Sequence, residues 1–465
     1  MDVVQLDGLA HYRGGAGVMG DIGRHAAVSR YLDRLCAQIK AKAMHEEIRL
    51  EMQSHLEELI DEKVDRHGKS EDEAVHEALL QMGDPEEVGK QLHQAHKPRT
   101  EWSVIALTAC MLLLGVIASF SLNAALDGQL AIGRKLVFAG MGIAVMGSLY
   151  FIDYRRLLNV SGAVYAGTLL LMAAVQWHGT QLNGAKQWIM IGAYTINICA
   201  AAPYLLIIAV AGLLHNAKSV PSGDWMASAK RSVFGGVVYV VLPVFLFLSA
   251  PAVGYLIIYL FGVAVLLLMN RQWKLLLTGL SIFALLLFYV QKTYNSDLWR
   301  SVWERHMAFL HRDESTAYHT VRSIEAIHSG GMWGQGFGAP TRTLPDIAGQ
   351  FTYSYLVYSL GWVFGIAVAV LALFFVSRMI LMGMKLSDGY ARNLVIGLSV
   401  VLGIQYLWNV LMCLGMFPVL GGMQLPILNW NANTCLELGA LGLMLSAYRR
   451  KDMLGGAHHA PMNQA

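Results

Sequence analysis

Ser103-Val104-Ile105-Ala106-Leu107-Thr108-Ala109-Cys110-Met111-Leu112-Leu113-Leu114-Gly115-Val116-Ile117-Ala118-Ser119-Phe120-Ser121-Leu122 is a run of 20 residues without a charge. At about 1.5 Å of rise per residue, a helix of this length crosses the roughly 30 Å of hydrocarbon in a bilayer. The run is not alone. Comparable apolar stretches follow at 135–152, 159–176, 194–214, 233–249, 252–269, 274–291, 351–376, 393–414 and 432–448. Ten spans are expected, and with them an all-α polytopic membrane protein, because a helix satisfies its own backbone in lipid.

The distribution of charge agrees. Of 465 residues, 55% are hydrophobic and 14% charged, against about 25% charged in soluble domains. Sixteen of the 32 acidic residues lie between Val28 and Thr100, and 13 lie beyond it. The chain therefore divides into a glycine-rich flexible lead (1–28), a polar helical domain (29–101), a membrane domain (102–450) and a short tail (451–465). The lead lacks the continuous apolar core of a signal peptide, so the first span is expected to supply the export signal. A net charge of +3 gives no footprint for nucleic acid. The five cysteines are scattered without a CxxC pair, which disfavours redox or zinc roles, and no resident cofactor is implied. A divalent cation is left open.

In the polar domain, Leu35, Ile39, Ile48, Met52, Leu56, Leu59 and Ile60 form one apolar stripe, predicting an amphipathic helical segment from Tyr31 to about Arg66 that breaks at His67-Gly68. Ser70-Glu71-Asp72-Glu73 predicts a capping box opening a helix that stops at Gly83, and Asp84-Pro85 opens the next. A small helical bundle is expected. His45 and His55 lack metal-site spacing. Eleven basic and 16 acidic residues over 28–100 disfavour anionic lipid and favour a protein partner.

Orientation follows from the connections. With the polar domain inside, the inner connections hold Arg155, Arg156, Lys218, Lys230, Arg231, Arg271, Lys274, Arg378, Lys385, Arg392, Arg449, Arg450 and Lys451. The outer ones hold Arg134, Lys135 and Lys186. Both termini are expected in the cytoplasm of a multi-pass protein. Two outer loops are then left, 177–192 and the long 292–350, whose Trp299, Trp303, Phe309, Trp333 and glycines at 330–338 suggest packed or re-entrant structure.

Few residues in such a chain can carry chemistry. Glu437 is the one acid inside a predicted span; it either faces a wet cavity or is a hydrogen-bonded packing residue. Lys186 and Trp188, just outside the fourth span, suit a phosphate and a sugar ring, or simply the interfacial belt. Gly330 and Gly331 permit close backbone approach but lack the strand-to-helix context of a nucleotide loop.

Two resemblances join these parts. Tyr31-Leu32-Asp33, His45-Glu46-Glu47-Ile48-Arg49, Ser54-His55-Leu56-Glu57-Glu58-Leu59 and Gln81-Met82-Gly83-Asp84-Pro85 resemble the prefix domain found ahead of permease-like proteins in spore-forming bacteria, which implies a docking or regulatory module. Residues 102–450 resemble the SEDS proteins of bacterial morphogenesis, the RodA, FtsW and SpoVE group. The match runs through Asn183-Gly184-Ala185-Lys186-Gln187-Trp188-Ile189, Ile327-His328-Ser329-Gly330-Gly331-Met332-Trp333-Gly334-Gln335-Gly336-Phe337-Gly338, Leu344-Pro345-Asp346, Leu360-Gly361, Gln405, Asn409 and Phe417-Pro418-Val419-Leu420-Gly421. The resemblance implies a bacterial cell-membrane glycosyltransferase of cell shape, division or sporulation. Such a protein polymerises lipid II, an undecaprenyl-linked precursor, beside a class B penicillin-binding transpeptidase, and Lys186, Trp188, Gly330, Gly331, Gln405 and Asn409 become substrate-binding candidates.

The pattern departs from the family at charged positions. The family's LPE-x-HTDFIF element places Gln350 at its essential aspartate. Its paired glutamates fall on Tyr358 and Ser359, and the glutamate and lysine of QPSE-x-x-K fall on Ala200 and Pro203. Asp346 and Glu437 are the substitute candidates for a catalytic base. Competing readings are a non-catalytic sensor or scaffold of wall synthesis, and a lipid flippase, which would call for more ionisable residues along the spans.

Overall fold

The computed structural model describes residues 25–39, 45–95, 100–182, 185–192, 194–217, 233–293, 317–341 and 343–451. The lead before residue 25, Asn183-Gly184, Lys218, Lys230, Arg231, Trp299, Trp303, Phe309 and the tail after residue 451 lie outside the described residues. The chain forms two compact units, one of residues 1–99 with 450–465 and one of 100–449.

The first unit holds α1 (Ala26–Ala37), α2 (His45–His67), α3 (Glu71–Met82) and α4 (Pro85–Ala95). Val28, Leu32, Leu35, Ile48, Leu56, Ile60 and Ala78 share one core. The single segment expected from Tyr31 to Arg66 is thus two helices, because Leu35 and Ile39 fold onto Ile48 rather than extending one stripe. Gly83 ends α3 at a φ of 88°, as its position predicts. Ser70 occupies the cap of α3 but makes no side-chain cap hydrogen bond, so the expected capping box is not formed.

The second unit contains α5 (Trp102–Ala125), α6 (Ile132–Phe151), α7 (Arg155–Asn159), α8 (Ser161–His178), α9 (Ile198–Ala217), a π-helical turn Val237–Val241 leading into α10 (Leu242–Ser249), α11 (Val253–Met269), α12 (Trp273–Thr293), α13 (Tyr318–Ser329), α14 (Thr352–Met384), α15 (Gly389–Cys413) and α16 (Ala432–Arg449). Helix occupies the apolar stretches read from the sequence, except that the first residues of 194–214 are strand. Among the described residues, α5, α6, α9, α14 and α15 are long and apolar enough to cross a membrane, with shorter apolar helices at Val233–Ser249, Val253–Met269 and Trp273–Leu285. This is a multi-pass membrane protein. Its core runs through α9, α11, α14, α15 and α16, and Gly142, Gly439 and Gly442 let α6 and α16 approach closely, as small residues do between helices in lipid.

The unit is not wholly helical. Residues expected as an outer loop and as the start of the fourth span form an antiparallel sheet of β1 (Thr180–Leu182), β2 (Ala185–Ile191) and β3 (Tyr194–Asn197) in the order β1-β2-β3. Leu182 pairs with Ala185 across the Asn183-Gly184 pair, and Trp188 pairs with Asn197. In the sequence, an Asn-Gly pair flanked by β-prone residues such as Thr180 and Ile189 is a strong hairpin signal. The Asn197 side chain then caps α9 by accepting the Ala200 N–H at 3.0 Å.

α14 is broken at Gly361, whose φ of 88° and ψ of 171° suit glycine alone. The break frees backbone groups that lipid cannot satisfy. The glycine-rich turn after α13 takes them up: Gln335 N donates to Tyr358 O at 2.9 Å and Gly336 N to Ser359 O at 3.0 Å, while Trp362 N donates to Gly331 O at 3.0 Å. Ser121 of α5 closes the joint, accepting the Gly338 N–H at 3.2 Å and bonding Ser359 Oγ at 3.1 Å.

Two outcomes test this account. Gly361→Ala places a side chain against the Met332 carbonyl in a forbidden backbone region, and should cost about 3 kcal/mol or more; an unchanged thermal midpoint in detergent would contradict the joint. At the opposite end of the unit, Arg378 Nη2 donates to Glu101 Oε1 at 2.7 Å and Ser103 Oγ donates to the same oxygen at 2.8 Å. Burial alone would raise the Glu101 pKa, but Ser103, Tyr448, Lys385 and Arg378 outweigh it and hold it below the ordinary 4.5. A lowered folded-state pKa gives stability that is present above the unfolded value and lost as pH falls through the folded one. Glu101→Gln should therefore lower the thermal midpoint near neutrality, and that deficit should vanish below about pH 4.

Candidate functional site

Three backbone segments meet where α14 begins: residues 344–351 before it, the C-terminal end of α15, and the connection 414–431 that leads into α16. Neutral amides join them. Asn409 on α15 donates from Nδ2 to Gln350 O at 2.8 Å and to Met423 O at 2.7 Å. Asn429 donates to Ala348 O at 2.8 Å and Gly349 O at 3.2 Å, and its Oδ1 accepts from Lys135 Nζ of α6 at 2.8 Å. Asn431 donates to Gln424 Oε1 at 2.6 Å. Carbonyls outside regular structure cost about 1–3 kcal/mol each if buried without a donor, and an amide supplies donor and acceptor together.

Asp346 and Gln350 lie side by side. Asp346 adopts a left-handed φ of 44°, and its Oδ2 accepts the Gln350 N–H at 3.0 Å. The carboxylate keeps solvent access, yet the protein packed around it raises its pKa above the ordinary range; the Gln350 N–H and the nearby His319 act in the opposite direction. His319 stacks on Phe351 with ring centroids 6.1 Å apart. Gln350 is held at both backbone groups, and its side-chain Oε1 is buried without a partner among the described residues.

Glu437 serves a different segment. It is buried in α16, and its Oε2 accepts the Ile427 N–H at 2.6 Å. Ile427 has a φ of 66°, a conformation that a β-branched residue adopts only under constraint. No hydrogen bond or ion pair among the described residues joins Glu437 to Asp346 or Gln350. Gln405 is buried on α15 and donates to the Tyr204 hydroxyl of α9 at 3.1 Å.

The remaining candidates are dispersed. Lys186 is exposed on β2 and donates to Gln176 O at 3.5 Å; Trp188, on the same strand, is partly buried. Gly330 is buried against the Val357 carbonyl and Gly331 accepts from Trp362, so both belong to the joint at the α14 break. Sequence reasoning named Asp346, Gln350 and Asn409 as separate site candidates but named none of Lys135, Asn429, Gln424 and Asn431 as one. The cluster of Gln424, Asn429, Asn431 and Asn433 in an otherwise apolar stretch was the available signal.

The family of cell cycle proteins comprising FtsW, RodA and SpoVE matches residues 101–451. The chain belongs to this SEDS family. A probable peptidoglycan glycosyltransferase FtsW of Caulobacter vibrioides is 26% identical over 77% of this chain and 91% of its own length. The peptidoglycan glycosyltransferase MrdB of Helicobacter pylori is 27% identical over 67% of this chain and 81% of its own. Among solved structures, a chain from a peptidoglycan synthase complex that coordinates polymerization and crosslinking superposes with a TM-score of 0.63 at 25% identity, covering 76% of this chain and 98% of that one.

The neutral residues that the sequence pattern lays on charged family positions are engaged locally. Ser359 donates to Gly336 O at 2.8 Å and Tyr358 to Pro340 O at 3.3 Å, so both act within the break of α14. Ala200 is buried and Pro203 lies inside α9.

Glu437→Ala should release the Ile427 turn at a cost of about 2–3 kcal/mol, whereas Glu437→Gln keeps an acceptor and should cost less than half of that. Equal thermal midpoints for the two variants would rule out the stapling role.

Proposed function

We propose that this SEDS protein acts in peptidoglycan synthesis on lipid II as a divergent member that binds the precursor but has lost the family's polymerising base. In this reading ten spans place both termini in the cytoplasm and the segments 344–351 and 414–431 at the outer leaflet. A class B penicillin-binding transpeptidase is its membrane partner, and the first unit docks a cytoplasmic protein. The reading rests on Gln350, which the sequence pattern lays on the family's aspartate and which is fixed through both backbone groups by Asp346 and Asn409. An amide in that place orients a hydroxyl but cannot take its proton.

A second reading rests on Asp346, whose carboxylate is solvent-accessible and has a raised pKa, as suits a general base displaced by four residues. Glycan-strand formation from lipid II by the purified protein separates the two. The expected result is negligible polymer from the wild type and a gain of at least about 10²-fold in Gln350→Asp. Robust wild-type polymerisation that is abolished in Asp346→Asn would overturn the first reading. Its acid limb would then lie above the ordinary carboxylate range, since the base must be ionised.

A further inference from the structure

Three large apolar side chains stand uncovered on the glycine-rich turn after α13. Met332, Trp333 and Phe337 are 60%, 82% and 59% exposed, in a stretch from Ser329 to Thr341 that holds no charged residue. The turn also asks little of water. The N–H groups of Gly334, Gln335 and Gly336 donate to Gly330 O, Tyr358 O and Ser359 O, and that of Gly338 to Ser121 Oγ. The one amide side chain of the turn, Gln335, donates to the Ser329 carbonyl. A segment whose polar groups are answered within the protein can enter the edge of a bilayer, where unpaired ones would be costly.

The depth of the turn follows from two helices independently. Along α14, seventeen residues separate Gly361 from Arg378, about 26 Å of helix. Along α5, eighteen residues separate Ser121, which closes the joint, from Ser103, which shares the Glu101 oxygen with Arg378, about 27 Å. Neither interval contains a charge. Both lengths are close to the roughly 30 Å of hydrocarbon, so the joint lies where acyl chains give way to headgroups when the Glu101–Arg378 pair lies at the opposite boundary. Apolar faces lead up to it from both helices. Leu113, Ile117 and Phe120 are exposed along α5, and Ala124, next on that face, meets Gly338. Val363, Ile366 and Val370 are exposed along α14, and the Val363 N–H donates to the Met332 carbonyl at 3.4 Å. The uncovered side chains of the turn thus continue two lipid-facing stripes.

We propose that Met332, Trp333 and Phe337 form an interfacial anchor, covered by bilayer lipid at the level of the glycerol backbone. Trp333 then belongs to the aromatic belt, and the anchor holds the break of α14, with residues 344–351 before it, at a fixed depth. The full chain labelled with fluorotryptophan, in nanodiscs of phosphatidylethanolamine and phosphatidylglycerol, tests this by fluorine NMR. Trp333→Phe identifies the Trp333 resonance by its loss, and Trp333→Tyr serves if the first variant does not fold. At matched nitroxide content, a lipid nitroxide beside the glycerol backbone should broaden that resonance at least about threefold more than one at the acyl-chain end or one dissolved in water. Strongest broadening by the aqueous nitroxide would place the turn in water and overturn the anchor. Strongest broadening by the chain-end nitroxide would refute the assigned depth. No broadening by any of the three would show that protein, such as a second copy of the chain, covers the turn, and would refute lipid as its partner. No lipid II is present, so the result is independent of the Gln350→Asp experiment.

Discussion

Within a bilayer, every backbone group released from a helix must find its partner in the protein itself, and the break at Gly361 is where this chain meets that demand most sharply. The carbonyls of Tyr358 and Ser359 and the N–H of Trp362 all leave the regular helix pattern within one turn, and the glycine-rich turn 330–336 answers each of them. The answer is possible because Gly334 and Gly361 approach with no side chain between the two backbones. The direction of the first turns of α14, and so the placing of residues 344–351, depends on this joint.

The same demand governs the segments beyond the break. Asn409 and Asn429 donate to four backbone carbonyls between them, and Asn429 also accepts from Lys135. The carboxylates of Asp346 and Glu437 are drawn into similar work, Asp346 holding the Gln350 N–H and Glu437 the Ile427 N–H. The difference between them is access to water. Asp346 retains it, whereas Glu437 is buried with its oxygen committed to a strained turn, so the two carboxylates are not equivalent as proton acceptors.

Much of this architecture was legible in the sequence, because apolar length is a direct consequence of bilayer thickness and each long stretch became helix. The glycine series and Leu360-Gly361 were legible as tight structure, though their pairing with each other was not, since it joins residues more than 20 apart with no periodic trace. The sheet at 180–197 was overlooked although Asn183-Gly184 and the β-branched residues around it announce a hairpin; apolar strands this short resemble the end of a span. The division of the first unit into α1 and α2 escaped for a related reason, because a stripe at helical spacing continues across a turn when both helices face one core. At the site, Asp346 and Gln350 were marked by the family pattern. Gln424 was not marked, and Asn429 was not given its role, because an amide that serves backbone carbonyls has no partner residue in the sequence to betray it.

Neutral groups also spare the membrane unit a cost. A buried carboxylate or ammonium is retained only where a partner offsets its desolvation, and Gln350, Tyr358, Ser359, Ala200 and Pro203 need no such partner. The neutral residues fall into roles the scaffold already needs: Ser359 and Tyr358 donate to carbonyls, Ala200 packs, and Gln350 presents its backbone to Asn409.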